Sequence, residues 1–489
     1  MGWVKLDLLG LRMLGAIVDA CALINPHPDL DSLTFDDPNV FDMLCRSETI
    51  GVFQLESRAQ ASLIPRFQPR SFSDLTVQVA LIRPGPLQAN MVHPYLQRRE
   101  KREPVTYLHT LLEPALRETL GVIIFQEQVL KIARDLAGFT PGEGELLRRA
   151  LSHKCAEEQL QAFRSRFLAG ALARGISTVI AEKAFEQLKA FGGYAFSKAH
   201  AAAFAVITYW SAWLRCHHPG PFFAGLLSQQ PMGFYPAHVV LSDARRVGVR
   251  FLPVDLRYSQ AGSTLQSGSV RLGMQSIRGI GAQQIGLLLQ ERRQAPFRSL
   301  SELLRRTELP RPAAEALILA GALDYLQPDG DRRQLLWNLA NAYRIATGPP
   351  PLELSDHDTR VKLTPMTADQ SLITELATTG VSTHRHPADL HLKIFASAGA
   401  IPAAQLYNLR DGQSVTVGGM IVARQRPPTA HGICFLALED SSGILNVVVY
   451  PDVYAKHRTS CRAAFALIHG RMQIKHGVAH VVAHEVLAI

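Results

Sequence analysis

Cysteine and long apolar runs are both scarce in this sequence. The six cysteines are scattered over 489 residues and form no CxxC pair. This distribution argues against a disulfide framework and favours reduced thiols in the cytoplasm. The apolar stretch from Ala199 to Leu214 is short and contains His200, Thr208 and Tyr209. We therefore expect neither a transmembrane helix nor a signal peptide.

Lysine is absent from residues 241–333, although this segment contains fourteen arginines and nine carboxylates. Arginine grips phosphate with a planar fork of donors, so the bias favours a phosphate-bearing partner. The net charge of +9 and the pI of about 9.3 agree with a polyanionic partner. Charge alone leaves both nucleic acid and an acidic membrane surface open.

The sequence VKLDLLGLRML, from Val4 to Leu14, indicates a strand followed by a helix. Alternating apolar residues form one face of the strand, which leaves Lys5 and Asp7 together on the other face. The simplest interpretation of these two residues is a solvated surface ion pair. Helical spacing then continues at Leu11, Leu14, Val18 and Cys21, with Ile17 and Ile24 beside them.

Two further segments combine helical signals with basic side chains. The sequence LIRPGPL places Arg83 at a rigid Pro-Gly-Pro corner. Thr140, Pro141 and Glu143 provide an N-cap, a first-turn proline and a capping-box partner, so they predict a helix start. Arg149 follows on that helix, and a basic stripe near a helix start suits phosphate. An ordinary solvated helix face is the alternative.

The sequence SIRGIGAQQIGLLLQERR places Gly279 and Gly281 in a tight turn between helical segments. Such a turn is typical of a helix-hairpin-helix, which presents backbone N–H groups to a nucleic-acid phosphate, with Arg278 beside it. A dinucleotide-binding turn is the competing interpretation. It is disfavoured because no βαβ pattern surrounds the glycines and Gly286 does not fit GxGxxG. A Pro-rich segment at residues 346–365 predicts a linker.

From about Gln413 the apolar pattern changes to a period of two. Five such runs in about 75 residues predict a small closed barrel of the OB type, although any five-stranded barrel satisfies the pattern. OB barrels commonly bind single strands. Five side chains are candidates for the binding face: Arg424, Arg426, Phe435, Tyr450 and Lys475.

Six ordered motifs carry a family resemblance: VKLDLLGLRML, FDMLCRSETIGVFQLES, LIRPGPL, GVIIFQEQVLKIA, LLRRAL and GGYAFSKAHAAAFAVITYWSAWL. Together they resemble the alpha subunit of bacterial DNA polymerase III, the family C DNA polymerases. The shorter motifs VHPYL, RCHHP, SQQPMGFY and DARRVGV are more similar to the error-prone, damage-tolerant paralogue of that subunit. The resemblance extends over essentially the whole chain.

The resemblance implies a multidomain, mainly α fold with an α/β palm remnant. The resemblance further implies that the chain corresponds to the C-terminal part of such a polymerase, without the PHP domain and thumb. The expected segments are the end of the palm at 1–30, helical fingers at 31–260, a helix-hairpin-helix module at 261–330, a linker and connecting region at 331–412 and an OB-type barrel at 413–489.

The resemblance also implies a role for the first strand. In the family, the aspartate matched by Asp7 is the third of three palm carboxylates that hold two Mg²⁺ ions, and Lys5 would neutralise triphosphate charge. The other two carboxylates form an Asp-x-Asp pair upstream, and no such pair precedes Asp7 in these residues. Asp29 and Asp31 imitate the spacing but follow Asp7 in an ordinary connecting segment. We therefore expect this chain to be inactive alone.

Six further residues correspond to nucleotide or primer-template contacts of the family. In the fingers these are Arg83, Arg148 and Arg149, and in GGYAFSKAH they are Phe196, Lys198 and His200. Phe196 would pack against the base or sugar, while Lys198 and His200 would reach phosphate. A buried core histidine at a helix start is the alternative for His200. The family usually has Gly and Ser where this chain has Ala195 and Ala199.

The function implied by the resemblance is DNA-directed DNA synthesis in replication and damage-induced translesion synthesis. The implied partners are primer-template DNA, deoxynucleoside triphosphates, a sliding clamp and mutasome proteins, in the cytoplasm and without a membrane. Two alternatives stay open at this point. One is a truncated, noncatalytic DNA-binding protein, and the other is part of a replicative alpha subunit.

Overall fold

The computed structural model of the protein describes residues 10–81, 92–152, 157–192, 196–327, 331–348, 363–427, 430–475 and 478–489. It divides into two compact units, one formed by Leu30–Trp213 and the other by the residues before Leu30 together with Leu214–Ile489. Lys5, Asp7, Arg83 and most of the predicted linker lie outside the described residues. The five-segment division stays a prediction.

Helices make up most of the chain. In the first half they are α1 (Arg12–Ala22), α2 (Pro38–Cys45), α3 (Arg58–Phe67), α4 (Phe72–Leu81), α5 (Val92–Arg99), α6 (Glu113–Leu116), α7 (Gln126–Ala137), α8 (Pro141–Ser152), α9 (Glu157–Ala173), α10 (Thr178–Gly192) and α11 (Lys198–His217). They continue as α12 (Pro219–Ser228), α13 (Ala237–Arg246), α14 (Ala282–Gln294), α15 (Leu300–Thr307), α16 (Arg311–Leu319), α17 (Arg332–Thr347), α18 (Ala368–Thr379), α19 (Leu392–Ser397) and α20 (Pro451–Lys456).

The unit formed by Leu30–Trp213 is helical, and α7 to α10 share one core. Phe167 lies at its centre, with ring centroids 6.0 Å from Phe139 and 5.6 Å from Phe185. The predicted capping box is confirmed at the start of α8. The Thr140 N–H donates to the Glu143 carboxylate at 2.8 Å, and the Glu143 N–H donates to the Thr140 hydroxyl at 3.3 Å. This reciprocal pair satisfies two of the orphan donors of the first turn.

In the other unit, α1 packs closely against α12. A Cβ atom on Gly225 would lie only 2.3 Å from the Ala16 carbonyl oxygen, so glycine permits this approach. The helix predicted after Leu11 is confirmed, and two of its predicted apolar residues, Ile17 and Cys21, are buried, but the rest of the buried face is different. Small residues such as Ala16 face α12, while Leu14 and Val18 of the predicted stripe are 42% and 65% exposed.

Around the predicted glycine turn, three short strands precede three helices. The strands β1 (Phe251–Leu252), β2 (Thr264–Gln266) and β3 (Ser269–Arg271) form one sheet in the order β1-β3-β2. A short 3-10 helix, Met274–Ser276, leads into the turn, and α14 to α16 follow it. The turn therefore lies between a 3-10 segment and a full α-helix.

The predicted barrel is confirmed. Its strands are β4 (Ser414–Gln425), β5 (Cys434–Asp440), β6 (Gly443–Val449), β7 (Phe465–Lys475) and β8 (Val478–Ala488). They close in the order β4-β5-β6-β8-β7, with β6 and β8 parallel and the other neighbouring pairs antiparallel. This closure is consistent with an OB-type fold and leaves no open sheet edge.

A buried polar cluster joins the barrel to α13 and to the segment before α19. Glu439, on β5, is fully buried. Its carboxylate lies 3.3 Å from the Arg246 guanidinium and 3.4 Å from the His386 Nε2 atom. Arg246 also lies 3.5 Å from Asp243, which is 2.7 Å from the buried Arg215 guanidinium. The two carboxylates of this cluster, Asp243 and Glu439, are therefore accompanied by the two guanidinium groups of Arg215 and Arg246.

Candidate nucleic-acid interface

The start of α11 lies beside the start of α7. Phe125 and Phe196 pair as an isolated parallel bridge, and the Gln126 N–H donates to the Phe196 carbonyl oxygen at 2.9 Å. This contact holds Phe196, just before α11, and the first turn with Lys198 and His200 against the start of α7. The first N–H groups of a helix have no partner inside the helix, and the helix dipole favours an anion there.

An internal carboxylate, Glu127, occupies this helix start. The Ser197 hydroxyl donates to one Glu127 oxygen at 3.1 Å. The Lys198 N–H donates to both oxygens, at 3.0 and 2.9 Å. Glu127 lies within the motif GVIIFQEQVLKIA, but no pattern in the sequence distinguishes it from the neighbouring polar residues. Because its carboxylate already fills the positive end of α11, side chains rather than these N–H groups are available to a phosphate.

The Lys198 side chain is also paired. Its Nζ atom lies 2.5 Å from the Glu118 carboxylate, and it lies 5.9 Å from the centre of the Phe125 ring. The Lys198 and Glu118 side chains are 44% and 30% exposed. An ion pair this close to solvent contributes little stability, so a phosphate could replace Glu118 at low cost.

His200 is the middle of three neighbouring rings at the start of α11. Its ring centroid lies 5.1 Å from that of Phe196 and 4.1 Å from that of Phe204. The residue is exposed, which excludes the buried core histidine weighed as the alternative. Phe196 itself is half-buried and packs against the core near α5 and α7. The three rings thus present a partly accessible aromatic surface next to Lys198.

Arg148 and Arg149 share one carboxylate on α8. Arg148 makes two bonds to Glu145, at 2.8 and 2.7 Å, and Arg149 makes one at 3.0 Å. These hydrogen bonds, led by the one from Arg148, lower the pKa of Glu145 to about 2. The Arg149 side chain is 67% exposed, against 21% for Arg148. Arg149 is therefore the more accessible of the two predicted contacts.

The glycine turn has the backbone shape that its sequence predicts. Gly279 has a φ of +91°, a conformation that favours glycine. Gly281 is the N-cap of α14, with a φ of −89°, and a Cβ atom there would meet no atom within 4 Å. The Gly281 N–H donates to the Gln284 side-chain oxygen at 2.9 Å. The turn is exposed at both glycines, so a phosphate can approach it.

Arg278 binds a helix end instead of facing solvent freely. Its guanidinium donates to the Ala377 carbonyl oxygen at 3.0 Å, and its backbone N–H donates to the Thr378 carbonyl oxygen at 2.8 Å. Both carbonyls belong to the last turn of α18, where a cation is favourable. Arg278 thus has a structural contact that the sequence did not indicate, beside the phosphate contact predicted for it.

Most other arginines of the 241–333 segment have protein partners as well. Arg306 bonds to Glu291 and Glu302, and Arg332 to Asp324 and Glu375. Among the described residues of this segment, three arginines are exposed with neither an ion pair nor a side-chain hydrogen bond: Arg250, Arg293 and Arg298. These three are the more accessible candidates for phosphate contacts, and only the structure distinguishes them from the rest.

The predicted barrel residues do not share one face. Arg424 lies opposite the core residue Leu436 in the β4–β5 register, and its guanidinium donates to the Cys461 carbonyl oxygen. Arg426 donates to the Gly432 carbonyl oxygen at 3.2 Å. These two arginines therefore bond to backbone oxygens of the barrel itself.

Phe435 lies on the other side of the barrel wall. Its neighbours along β5, Cys434 and Leu436, belong to the barrel core, and successive side chains of a strand alternate between faces. Phe435 is accordingly half-buried on the outer surface. Lys475 ends β7, and its side chain lies outside the described residues. Tyr450, the fifth candidate, is 40% exposed. A DNA-binding role for these five residues stays a prediction.

The described residues contain neither a metal-binding cluster nor a helix that could span a membrane. No group of three or more histidine, cysteine, aspartate or glutamate side chains there could hold a metal ion. Asp7, the predicted Mg²⁺ ligand, lies outside those residues. Within the same part of the chain, each helix is too short or too polar to span a bilayer.

Two of these regions match known protein families. Residues 13–175 match the family described as the bacterial DNA polymerase III alpha subunit finger domain. Residues 248–335 match the helix-hairpin-helix motif, which confirms the interpretation of the glycine turn. Both matches agree with the order of the structural elements.

Curated relatives match nearly the whole chain. The error-prone DNA polymerase of Anaeromyxobacter sp. (strain K) is 42% identical over 96% of this chain and 44% of its own length. The error-prone DNA polymerase of Corynebacterium glutamicum is 42% identical over 99% of this chain and 46% of its own length. The chain thus spans less than half the length of these relatives. The solved structure of asparaginyl-tRNA synthetase from Pyrococcus horikoshii aligns with this chain at a TM-score of only 0.17.

Proposed function

Because the chain is related to the alpha subunit of bacterial DNA polymerase III and to error-prone DNA polymerases, we propose that it forms the DNA- and nucleotide-binding part of an error-prone DNA polymerase. The observation that carries the proposal is the order of modules in one chain. A finger-domain match, a helix-hairpin-helix and a closed OB-type barrel follow one another, within a sequence 42% identical to such polymerases.

The nucleotide-binding role is proposed for the surface around the start of α11. Exposed His200, Lys198 with its exchangeable partner and exposed Arg149 would bind phosphates, and Phe196 would contact the base or sugar. Arg83 is proposed for the same role on the resemblance alone. A triphosphate carries enough negative charge to compete with Glu118 for the Lys198 ammonium.

Two Mg²⁺ ions are part of the proposal, supported by the resemblance and by Asp7 with Lys5 beside it. When bound, such ions supply Lewis-acid stabilisation of an in-line phosphoryl transfer. The chain offers one of the three carboxylates that the family uses. We therefore propose that the 489 residues bind DNA but do not extend a primer by themselves.

The proposed biological setting is damage-induced translesion synthesis in the cytoplasm. A sliding clamp and mutasome proteins are the proposed partners, and both follow from the resemblance to error-prone polymerases. The names of the relatives favour this setting over a replicative alpha subunit.

Two measurements on the purified chain test the proposal. Fluorescence anisotropy with a labelled primer-template should show binding that weakens as salt rises, because phosphate contacts release counterions. A primer-extension assay with Mg²⁺ and all four nucleotides should show no product. Absence of DNA binding at low salt would refute the DNA-binding role. Template-dependent extension would refute the inactivity of the isolated chain and point to Asp29 and Asp31.

A further inference from the structure

The loop that precedes the glycine turn presents an exposed aromatic ring beside two arginines. Tyr258 is 50% exposed. The guanidinium carbons of Arg257 and Arg271 lie 5.1 and 5.6 Å from the centre of its ring. Proteins bind single strands by stacking unpaired bases on aromatic rings, with cation–π contributions from arginine. Arg257 is exposed beside the ring and Arg271 is buried, so the accessible surface combines one ring with one arginine, within the region that matches the helix-hairpin-helix motif.

Both arginines are held in place by the protein. Arg257 makes two bonds to the Asp255 carboxylate, at 3.1 and 2.8 Å. Arg271 donates to the Gln266 side-chain oxygen at 2.8 Å and to the Pro253 carbonyl oxygen at 2.7 Å. A ligand that stacks beside them does not have to order these long side chains. Fixed groups of this kind reduce the entropic cost of binding.

The same loop is anchored to the helix of the glycine turn. Arg292, on α14, donates to the Leu256 carbonyl oxygen at 2.8 Å and to the Ser259 carbonyl oxygen at 2.6 Å. Arg293, the next residue, is exposed and has no side-chain hydrogen bond in the described part of the chain. From Gly281 to Arg292 the helix rises roughly 17 Å. That distance corresponds to about five nucleotides along one strand of B-DNA.

We propose that Tyr258 is a stacking site for an unpaired nucleotide base, with Arg293 as a neighbouring phosphate contact. The inference rests on the proposed function, because a polymerase holds primer-template DNA with an unpaired template strand. A strand whose phosphate lies at the glycine turn could reach the ring within a few nucleotides. The site accepts any base, since every base has a π-face.

The test compares single-stranded and duplex DNA on the whole chain. The probes are a labelled oligothymidylate of about twenty nucleotides, longer than known site sizes, and a blunt duplex. Tyr258→Ala should weaken oligothymidylate binding about fivefold or more and leave its salt slope unchanged, because no charge is removed. Duplex binding should not change, since paired bases are already stacked. Tyr258→Phe should bind like the unmodified chain.

Two variants control the experiment. Tyr407→Ala removes a ring that is 70% exposed and should leave both affinities unchanged. Arg293→Ala should lower the salt slope by about one phosphate contact. Circular dichroism confirms that each variant is folded. Unchanged oligothymidylate binding by Tyr258→Ala, an equal loss on duplex, or a loss with Tyr258→Phe would overturn the stacking site. A chain that binds neither probe would refute the proposed function instead.

Discussion

Gly281→Asp should stabilise the hairpin module and weaken DNA binding, two effects in opposite directions. Gly281 is the N-cap of α14, has a φ of −89° and ψ of 166°, and leaves open space where a Cβ would lie. An aspartate fits this extended conformation without strain. It caps a helix better than glycine by a few tenths of a kcal/mol, and its charge favours the positive end of the helix dipole.

The same charge opposes a phosphate at the turn. Two like charges about 4 Å apart repel by about 1 kcal/mol in water and by several times more near a protein surface. Primer-template affinity should therefore fall about fivefold or more at low salt. The difference from the unmodified chain should shrink as salt rises, because ions screen exposed charges. Fluorescence anisotropy over a salt series measures the affinity, and thermal unfolding measures the stability.

Gly286→Asp is the matched control. Gly286 also lies on α14, and a Cβ atom there would meet nothing within 4 Å. The substitution changes the net charge equally but places the carboxylate more than a turn away from Gly281. It should weaken binding much less than Gly281→Asp. Equal affinities for Gly281→Asp and the unmodified chain would show that no phosphate lies at the turn, and the hairpin would then be a structural spacer.

Three further predictions concern carboxylates. Glu439→Ala should lower the free energy of unfolding by about 3 kcal/mol in urea denaturation, because Arg246 and His386 lose their buried carboxylate partner. A loss below about 1 kcal/mol would contradict this. Glu145 has a folded pKa of about 2 against an ordinary value of 4.5, so its stabilising contribution is present above pH 4.5 and disappears as the pH falls towards 2. Glu145→Gln should flatten that acid limb of the stability profile, and an unchanged limb would argue against the pair. In a longer polymerase that carries all three palm carboxylates, Asp7→Asn should reduce primer extension at least ~10³-fold and leave DNA affinity unchanged. If more than a tenth of the activity remained, Asp7 would have a structural role instead.

The sequence predicted the elements whose signals are local or periodic. The capping box at Thr140 and Glu143 lies within one turn of helix, so neighbouring residues alone determine it. The five barrel strands were predicted from their period of two, and the glycine turn from the backbone freedom of Gly279. The family matches and relatives then confirmed the resemblance that six motifs had carried.

Only the tertiary structure decided which charges are available to a ligand. Glu127 meets Lys198 across 71 positions of sequence, Arg278 meets Ala377 across 99, and Arg246 meets Glu439 across 193. No periodicity connects residues so far apart, because their contact depends on how whole elements pack. An arginine looks the same in the sequence whether it binds a helix end or faces solvent. The fold therefore separates the arginines that hold the protein together from those, such as Arg293, whose side chains have no partner among the described residues.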